Sequence, residues 1–142
     1  MRIADVVRRK GSDVVTVRSD ATVTELLELL AQHKIGAVVV SDDGTGVHGI
    51  VSERDIVRHL QTDGAALLQA PVAQIMTAEV HTCSLEDHIE ELAEAMTERR
   101  IRHVPVVADG RLHAIVSIGD VVKNRIDALQ AERDQLRDYI QQ

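Results

Sequence analysis

The chain has 142 residues, of which 44% are hydrophobic and 1% aromatic, and its formal net charge is −7. This length and composition suit one compact unit with a core of Val, Ile, Leu and Ala. The negative charge and the scarcity of aromatic side chains argue against nucleic acid as the main partner, because phosphate binding needs Lys and Arg and single-stranded bases need stacking platforms.

The predicted elements form the same order twice. A short strand at residues 14–17 precedes an amphipathic helix with apolar residues at 23, 26, 27 and 30. Strands at residues 37–40 and 47–52 form a hairpin, and a short helix starts at Glu53. The second set comprises a strand at 80–82, a helix with apolar residues at 89, 92, 93 and 96, strands at 104–107 and 112–117, and a helix from Ile118.

An internal repeat explains this order. Residues 16–40 match residues 82–106 at an offset of 66, and residues 50–57 match residues 115–122 at an offset of 65. Each copy reads β-α-β-β-α. Because a unit of about 60 residues has too small a core to be stable alone, we expect an α+β fold in which the two copies pack together.

The domain boundaries follow from the repeat. The first copy with its N-terminal segment covers residues 1–61, a linker covers 62–70, the second copy covers 71–125, and a helical extension covers 126–142. We expect residues 71–76 to enter the second copy much as residues 3–7 enter the first.

The C-terminal helix is predicted from about Ile118 to Ile140, which is too long for the compact unit. Its apolar positions have the 4, 3, 4, 3, 4 spacing of a coiled coil, which Arg133 interrupts. These positions are Val122, Ile126, Leu129, Arg133, Leu136 and Ile140. The helix either folds back on its own core or contacts a second copy, and we favour a homodimer.

The cellular location is inferred from the absence of a signal peptide and of a membrane-spanning segment. Asp5 and the basic residues 8–10 interrupt any signal-peptide run, and no stretch approaches the ~18 apolar residues of a membrane span. We therefore expect a soluble, cytoplasmic protein with no membrane partner.

Cys83 is the single cysteine, so no intramolecular disulfide can form, and we expect it half-buried in a strand.

Four duplicated motifs identify a family resemblance. They are residues 49–55 (Gly-Ile-Val-Ser-Glu-Arg-Asp), 114–120 (Ala-Ile-Val-Ser-Ile-Gly-Asp), 34–40 (Lys-Ile-Gly-Ala-Val-Val-Val) and 100–106 (Arg-Ile-Arg-His-Val-Pro-Val). Together they resemble a stand-alone CBS-domain pair, also called a Bateman module, over residues 3–125. The resemblance implies two repeats packed pseudo-symmetrically around a cleft.

The resemblance also implies a ligand. The cleft of this family binds adenosine compounds such as AMP, ADP, ATP, S-adenosylmethionine and sometimes NADH, with an aspartate on the ribose and a Ser or Thr near the phosphate. Arg54, Arg100, Arg102 and His103 are candidates to neutralise phosphate. The full set of candidate nucleotide-binding residues is Thr16, Ile35, Gly36, Ala37, Ser52, Arg54, Asp55, Thr82, Arg100, Arg102, His103, Val104, Pro105, Ser117 and Asp120.

Helix capping is a simpler explanation for Asp55 and Asp120 than ligand binding. Ser52 with Asp55, and Ser117 with Asp120, match helix capping boxes, and capping alone accounts for both pairs. The two roles are compatible if the Ser caps the helix and the Asp points into the cleft. The copies also differ, since residues 36–37 are Gly-Ala and residues 102–103 are Arg-His, so we expect two inequivalent sites.

No residue pattern supports catalysis or metal binding. The histidines form no ligand set, and no Ser-His-Asp or Cys-His arrangement follows from order and spacing. We therefore expect a sensor that requires no cofactor, binds an adenine nucleotide and acts on a downstream protein, rather than an enzyme. The alternative is a constitutive dimeric protein-interaction module whose nucleotide cleft is vestigial.

Overall fold

The computed structural model describes residues 1–141 as five α-helices and five β-strands in a mixed α+β fold. Gln142, the last residue of the predicted extension, lies outside the described residues. The elements in chain order are α1 (Ile3–Lys10), β1 (Thr16–Val17), α2 (Val23–His33), β2 (Ala37–Val40), β3 (Gly49–Ser52), α3 (Glu53–Asp63), α4 (Ile89–Arg99), β4 (His103–Ala108), β5 (Arg111–Ser117) and α5 (Ile118–Gln141).

Each repeat builds a small sheet covered by its helices. In the first, β1 pairs parallel with β2, and β2 pairs antiparallel with β3. In the second, β4 and β5 form an antiparallel hairpin with an irregularity between Val106 and Val107. These sheets place the apolar faces of α2 and α4 in two separate cores, as the helical spacing of the sequence predicts.

The helices begin and end where the local chemistry predicts. Thr22 Oγ1 accepts a hydrogen bond from Glu25 N at 3.1 Å, and Glu25 Oε2 accepts one from Thr22 N at 3.2 Å, which confirms the capping box of α2. Helices α2 and α4 both end at a residue in the left-handed region, Lys34 with φ 54° and Arg100 with φ 55°. The repeat therefore extends to the backbone conformation of its turns.

The two halves exchange their entry segments. Ile3, Val6 and Val7 of α1 are buried in the core of the second repeat, with Ile89 and Leu92, whereas Leu67, Val72 and Ile75 are buried in the core of the first. Matching backbone bonds anchor the two segments: Ile3 N to Asp87 O at 2.8 Å, and Val72 N to Ala21 O at 2.8 Å. The expectation that each segment enters its own copy is wrong, because each completes the apolar core of the other.

Several strand boundaries differ from the prediction. The predicted strand 14–17 is reduced to β1, and 47–52 begins only at Gly49. The predicted strand at 80–82 is not formed, since only Cys83 makes an isolated parallel bridge, to Val106. The predicted linker 62–70 contains a short 3-10 helix at Gly64–Gln69, and Leu67 anchors it in the first core.

Helix α5 spans 24 residues and confirms the long C-terminal helix of the sequence prediction. It does not fold back on its own core, because the side chains of Val122, Ile126, Leu129, Leu136 and Ile140 are between 47% and 79% exposed. Only Val121 of this helix is buried among the described residues. The apolar positions of α5 therefore lie on the surface of the single chain.

Candidate functional site: a cavity between the repeats

A cavity of about 430 Å³ opens between the two repeats. The residues that line it come from the hairpin and α3 of the first repeat, from the segment that joins the repeats, and from the end of α4 and the start of β4 in the second repeat. They are Gly36, Ala37, Ile50, Ser52, Glu53, Arg54, Asp55, Arg58, Thr77, Glu79, Val80, His81, Arg99, Arg100, Ile101, Arg102 and His103. The cavity is thus assembled by packing and is not formed by one local motif.

Ser52 and Asp55 lie where β3 passes into α3. Asp55 Oδ2 accepts hydrogen bonds from Ser52 N at 2.9 Å and from Ser52 Oγ at 3.2 Å. The capping role proposed for this pair is therefore real, and it fixes the orientation of the carboxylate. Both bonds use Oδ2, so within the described residues Oδ1 remains available to accept from a ligand in the cavity.

Five arginines line the same cavity: Arg54, Arg58, Arg99, Arg100 and Arg102. Three carboxylates, of Glu53, Asp55 and Glu79, line it as well. The cavity wall therefore carries an excess of positive charge in a chain whose net charge is −7. Because guanidinium groups bind phosphate and carboxylate through paired hydrogen bonds, this wall is suited to an anionic ligand.

Another part of the cavity wall comes from Thr77, Glu79, Val80 and His81. Thr77 and Ile50 exchange backbone hydrogen bonds, Ile50 N to Thr77 O at 2.9 Å and Thr77 N to Ile50 O at 2.8 Å. Gly49 permits this close approach, since a Cβ there would lie 2.7 Å from Met76 Sδ and 2.9 Å from Thr77 O. The contact places Glu79, Val80 and His81 on the cavity wall.

His103 lies at the start of β4, where it lines the cavity and is partly buried. Burial lowers the pKa of its imidazole, and the nearby ammonium of Lys10 lowers it further, while Asp120 and Glu53 act in the opposite direction. The side chain is therefore held towards its neutral form near neutral pH.

The second copy of the Ser-x-x-Asp motif, Ser117 with Asp120, has a different environment from the first. Asp120 Oδ2 accepts from Ser117 N at 2.8 Å, as Asp55 does from Ser52, but it also accepts from Lys10 Nζ at 2.6 Å. Burial raises the pKa of Asp120, but the hydrogen bonds from Lys10 and Ser117 outweigh it and lower the pKa. The inequivalence expected from the sequence therefore has a physical form: one aspartate has a cation partner within the chain.

The structure brings some of the predicted nucleotide-binding residues together around the cavity and leaves the others outside it. Gly36, Ala37, Ser52, Arg54, Asp55, Arg100, Arg102 and His103 line the cavity. Thr16, Ile35, Thr82, Val104, Pro105, Ser117 and Asp120 do not line it. Val104 is fully buried in the core of the second repeat, so its side chain faces other protein groups, and Thr16 belongs to β1, where its backbone pairs with Val39.

Sequence reasoning missed several residues of the wall. Arg58 was detectable, because it lies one helical turn after Arg54 and residues four apart share a helix face. Arg99 adjoins the predicted Arg100 and was detectable for the same local reason. Thr77, Glu79, Val80 and His81 carried no local signal, since only the pairing with Ile50 brings them to the cavity.

Other groups in the described chain give no competing site. Burial, together with the charge of Asp87, raises the pKa of the Cys83 thiol to about 12, so little thiolate exists at neutral pH. Within residues 1–141 no three His, Cys, Asp or Glu side chains are grouped to hold a metal ion. None of the helices described is both long and apolar enough to cross a membrane.

Comparison with known proteins agrees with this fold. The family model of the CBS domain matches residues 3–62 and again residues 72–127. The mitochondrial CBS domain-containing protein CBSX3 of Arabidopsis thaliana is 34% identical over 147 aligned residues, which cover 98% of this chain and 71% of that protein.

Solved structures show the same fold. The CBS-domain protein ATU1752 of Agrobacterium tumefaciens superposes with a TM-score of 0.85 at 49% identity, covering 88% of this chain and 99% of that one. The CBS domain pair of protein MJ0100, solved with 5′-methylthioadenosine and S-adenosyl-L-methionine, superposes with a TM-score of 0.77 at 24% identity, covering 87% and 98%. The chain therefore belongs to the CBS-domain family and carries two CBS domains in tandem.

Proposed function

We propose that this CBS pair is a regulatory module that binds an adenine nucleotide in the cavity between its repeats. One observation carries the proposal: the fixed carboxylate of Asp55 and a wall of arginines line the same cavity. CBS pairs are generally regulatory modules rather than enzymes. AMP, ADP, ATP, NADH and S-adenosylmethionine all contain the adenosine that such a cavity would hold.

The ribose is assigned to Asp55. Its Oδ2 is held by Ser52, so Oδ1 is oriented before any ligand arrives. A carboxylate accepts hydrogen bonds from both hydroxyls of a ribose diol, and these charge-assisted bonds are stronger than neutral ones. Because the carboxylate is already ordered, binding loses little side-chain entropy there.

The phosphates are assigned to the arginine wall. Arg54 lies in the first turn of α3, where the helix dipole also favours negative charge, and Arg58 follows one turn later. Arg99, Arg100 and Arg102 approach from the end of α4. The base is then left with the remaining wall, where Ala37, Ile50, Val80 and Ile101 supply apolar surface.

The CBS pair of MJ0100 supports the adenosine assignment at the level of the fold. It was solved in complex with 5′-methylthioadenosine and S-adenosyl-L-methionine, so this fold accommodates adenosine compounds. The excess of arginine in the present cavity favours a phosphorylated adenosine over the sulfonium compound, because a cationic ligand is repelled by that wall.

Binding would act as a signal by changing the relative population of conformations. A ligand that contacts both repeats favours the arrangement in which both walls are in place, and it shifts the equilibrium only by its differential affinity for the two states. The exposed apolar positions of α5 are the candidate output surface, either towards a second copy or towards a downstream protein.

Calorimetric titration of the full chain with AMP, ADP, ATP, NADH and S-adenosylmethionine tests the proposal. Asp55→Ala should weaken the binding of any adenosine ligand roughly 10- to 150-fold, since the loss of a charged hydrogen bond costs about 1.5–3 kcal/mol. Asp63→Ala, at the other end of the same helix, is the matched control and should leave the affinity unchanged.

Two outcomes would contradict the proposal. Equal affinities for the natural chain and Asp55→Ala would remove the assigned role of this aspartate. No heat and no thermal shift with any of these compounds, on a folded sample, would favour the alternative of a constitutive dimeric interaction module with a vestigial cleft.

A further inference from the structure

Helix α5 continues beyond the folded body of the chain. Its first turns contact α4 and β5, and Val121 is buried there. From Arg125 to Gln141 every residue is exposed. At 1.5 Å per residue this projecting segment is about 25 Å long, and neither core of the chain covers its apolar side chains.

The projecting segment is poorly stabilised as a single helix. Isolated helices of this length are marginal in water. Two pairs four residues apart carry like charges, Arg133 with Arg137 and Asp134 with Asp138. The only ion pair within residues 125–141 joins the neighbours Arg133 and Asp134, at 3.2 Å. A partner that covers the apolar positions would therefore stabilise this helix.

The apolar positions of α5 follow one heptad pattern. Its a positions are Ile126, Arg133 and Ile140, and its d positions are Val122, Leu129 and Leu136. We call these six residues the seam. Ile at a with Leu at d is the combination that favours two parallel strands over three or four, and one charged residue at an a position fixes their register at some cost in stability.

Arg133 fits such a seam between two parallel helices. Its guanidinium lies beside Asp134, on the side of the helix next to the seam, so the charge is partly neutralised. The aliphatic part of the side chain can then pack in the seam while the charged end reaches water.

The charges that flank the seam also favour parallel helices. Glu132 is at a g position and Arg137 at the next e position. In a parallel, in-register pair, the g residue of one helix contacts the following e residue of the other. Glu132 would therefore form an ion pair with the partner's Arg137, and the two-fold axis would repeat this pair.

Antiparallel helices place the same charges unfavourably. The register that covers the whole seam would bring Glu132 next to Glu132 of the partner subunit, and Lys123 next to the partner's Arg137. A shifted antiparallel register would pair Arg125 with the partner's Glu132, but it would leave the last two apolar positions of the seam uncovered.

We infer that a second copy of this chain covers α5, and that the two helices form a parallel, in-register, two-stranded coiled coil over residues 122–140. Both folded bodies then lie at the same end of the coiled coil. Substitutions after Arg125 test this arrangement without disturbing the fold, because no residue from 125 to 141 belongs to either core.

Cysteine cross-linking of the full chain tests the direction of the helices. In the parallel arrangement Leu136 faces Leu136 of the partner subunit, so Leu136→Cys should form a disulfide-linked dimer under mild oxidation. In the antiparallel register that covers the whole seam, the two copies of residue 136 lie about 15 Å apart along the axis. Gln135→Cys, one residue away and off the seam, is the matched control, and the natural chain should not cross-link because Cys83 is buried.

Charge reversal tests the direction independently. Arg137→Glu should raise the dissociation constant of the dimer about tenfold in sedimentation equilibrium, since two ion pairs become two repulsive pairs. Adding Glu132→Arg to Arg137→Glu restores opposite charges and should restore the natural constant. Antiparallel helices that cover the whole seam predict the opposite sign for Arg137→Glu, because the new carboxylate would lie next to the partner's Lys123.

Each unfavourable result overturns a defined part of the inference. A natural chain that sediments as a monomer would show that a second copy does not cover α5. A dimer in which Leu136→Cys cross-links no faster than Gln135→Cys, or in which Arg137→Glu strengthens association, would show that the helices are not parallel. None of these results depends on nucleotide binding, so the proposed function is tested separately.

Discussion

Lys10 Nζ lies 2.6 Å from Asp120 Oδ2, which joins the last residue of α1 to the first turn of α5 across 110 residues of sequence. The corresponding aspartate of the first repeat, Asp55, has no cation within salt-bridge distance among residues 1–141. One duplicated motif thus serves a contact within the chain, while its copy faces the cavity.

Lys10→Met should lower the free energy of unfolding at pH 7. It should also make that free energy change less with pH in the acid range. The pKa of Asp120 is lowered in the folded chain, so its stabilisation is present above the ordinary pKa of an aspartate and is lost as the pH falls through the lowered value. Urea unfolding of both chains at pH 7 and at pH 3 measures this.

Lys123→Met is the control for that comparison, since Lys123 is exposed and forms no ion pair within the described chain. A stability difference between Lys10→Met and the natural chain that is as large at pH 3 as at pH 7 would show that the Lys10 side chain stabilises by packing alone.

Gly49→Ala should destabilise the fold by about 1–3 kcal/mol, the usual cost of forcing extra volume into a packed site. The added Cβ would lie 2.9 Å from the carbonyl oxygen of Thr77, a backbone atom that cannot turn away. Thermal or urea unfolding measures the loss, and ligand affinity should fall as well because residues 77–81 form one side of the cavity.

Gly119→Ala is the matched control for Gly49→Ala. The new Cβ would lie 3.5 Å from Ser117 Oγ, an ordinary contact, and the residue is exposed within a helix. It should therefore be neutral or slightly stabilising. Equal effects of the two substitutions would contradict the role given to the close contact at Gly49.

Lys34→Gly and Arg100→Gly should each stabilise the fold by about 1 kcal/mol, because both residues adopt left-handed backbone angles that favour glycine. Arg100 also lines the cavity between the repeats, so only Arg100→Gly should weaken nucleotide binding. Unfolding curves and titrations on the same samples separate the two effects. Loss of stability in Lys34→Gly would contradict the backbone argument.

The double substitution Leu129→Glu and Leu136→Glu should shift the chain towards a monomer in sedimentation experiments. We predict that the exposed apolar series of α5 contacts a second copy, with 47% of Leu129 and 59% of Leu136 exposed in the single chain. Ala131→Glu, at an exposed position of α5 outside this series, should leave the sedimentation coefficient unchanged. A natural chain that sediments as a monomer would contradict the prediction.

The sequence predicts those parts of the site whose residues are close together along the chain, and it does not predict contacts between distant segments. Ser52, Arg54 and Asp55 are close neighbours on a strand-to-helix junction, and local periodicity with the repeat was enough to place them together. The partnership of Lys10 with Asp120 and that of Ile50 with Thr77 arise from packing between distant segments, which no local pattern encodes.

The strand predicted at residues 80–82 shows the same limit. Its β-branched residues Val80 and Thr82 suit a strand, but only Cys83 pairs with β4, through its bridge to Val106, and Val80 and His81 line the cavity instead. Tertiary contacts here override the local preference, as is common for short segments at functional sites.

The exchange of entry segments has a consequence for synthesis. Because α1 is synthesised before the rest of the described residues, its buried residues Ile3, Val6 and Val7 have no completed core to enter until residues up to Val121 have been made. The apolar face of this helix is then exposed while both repeats are synthesised. In a circular permutant that begins near Gly64, Leu67 and Val72 would be made before the rest of the first core that they enter. Helix α1 would then be made after the second repeat, so the order of assembly would be reversed.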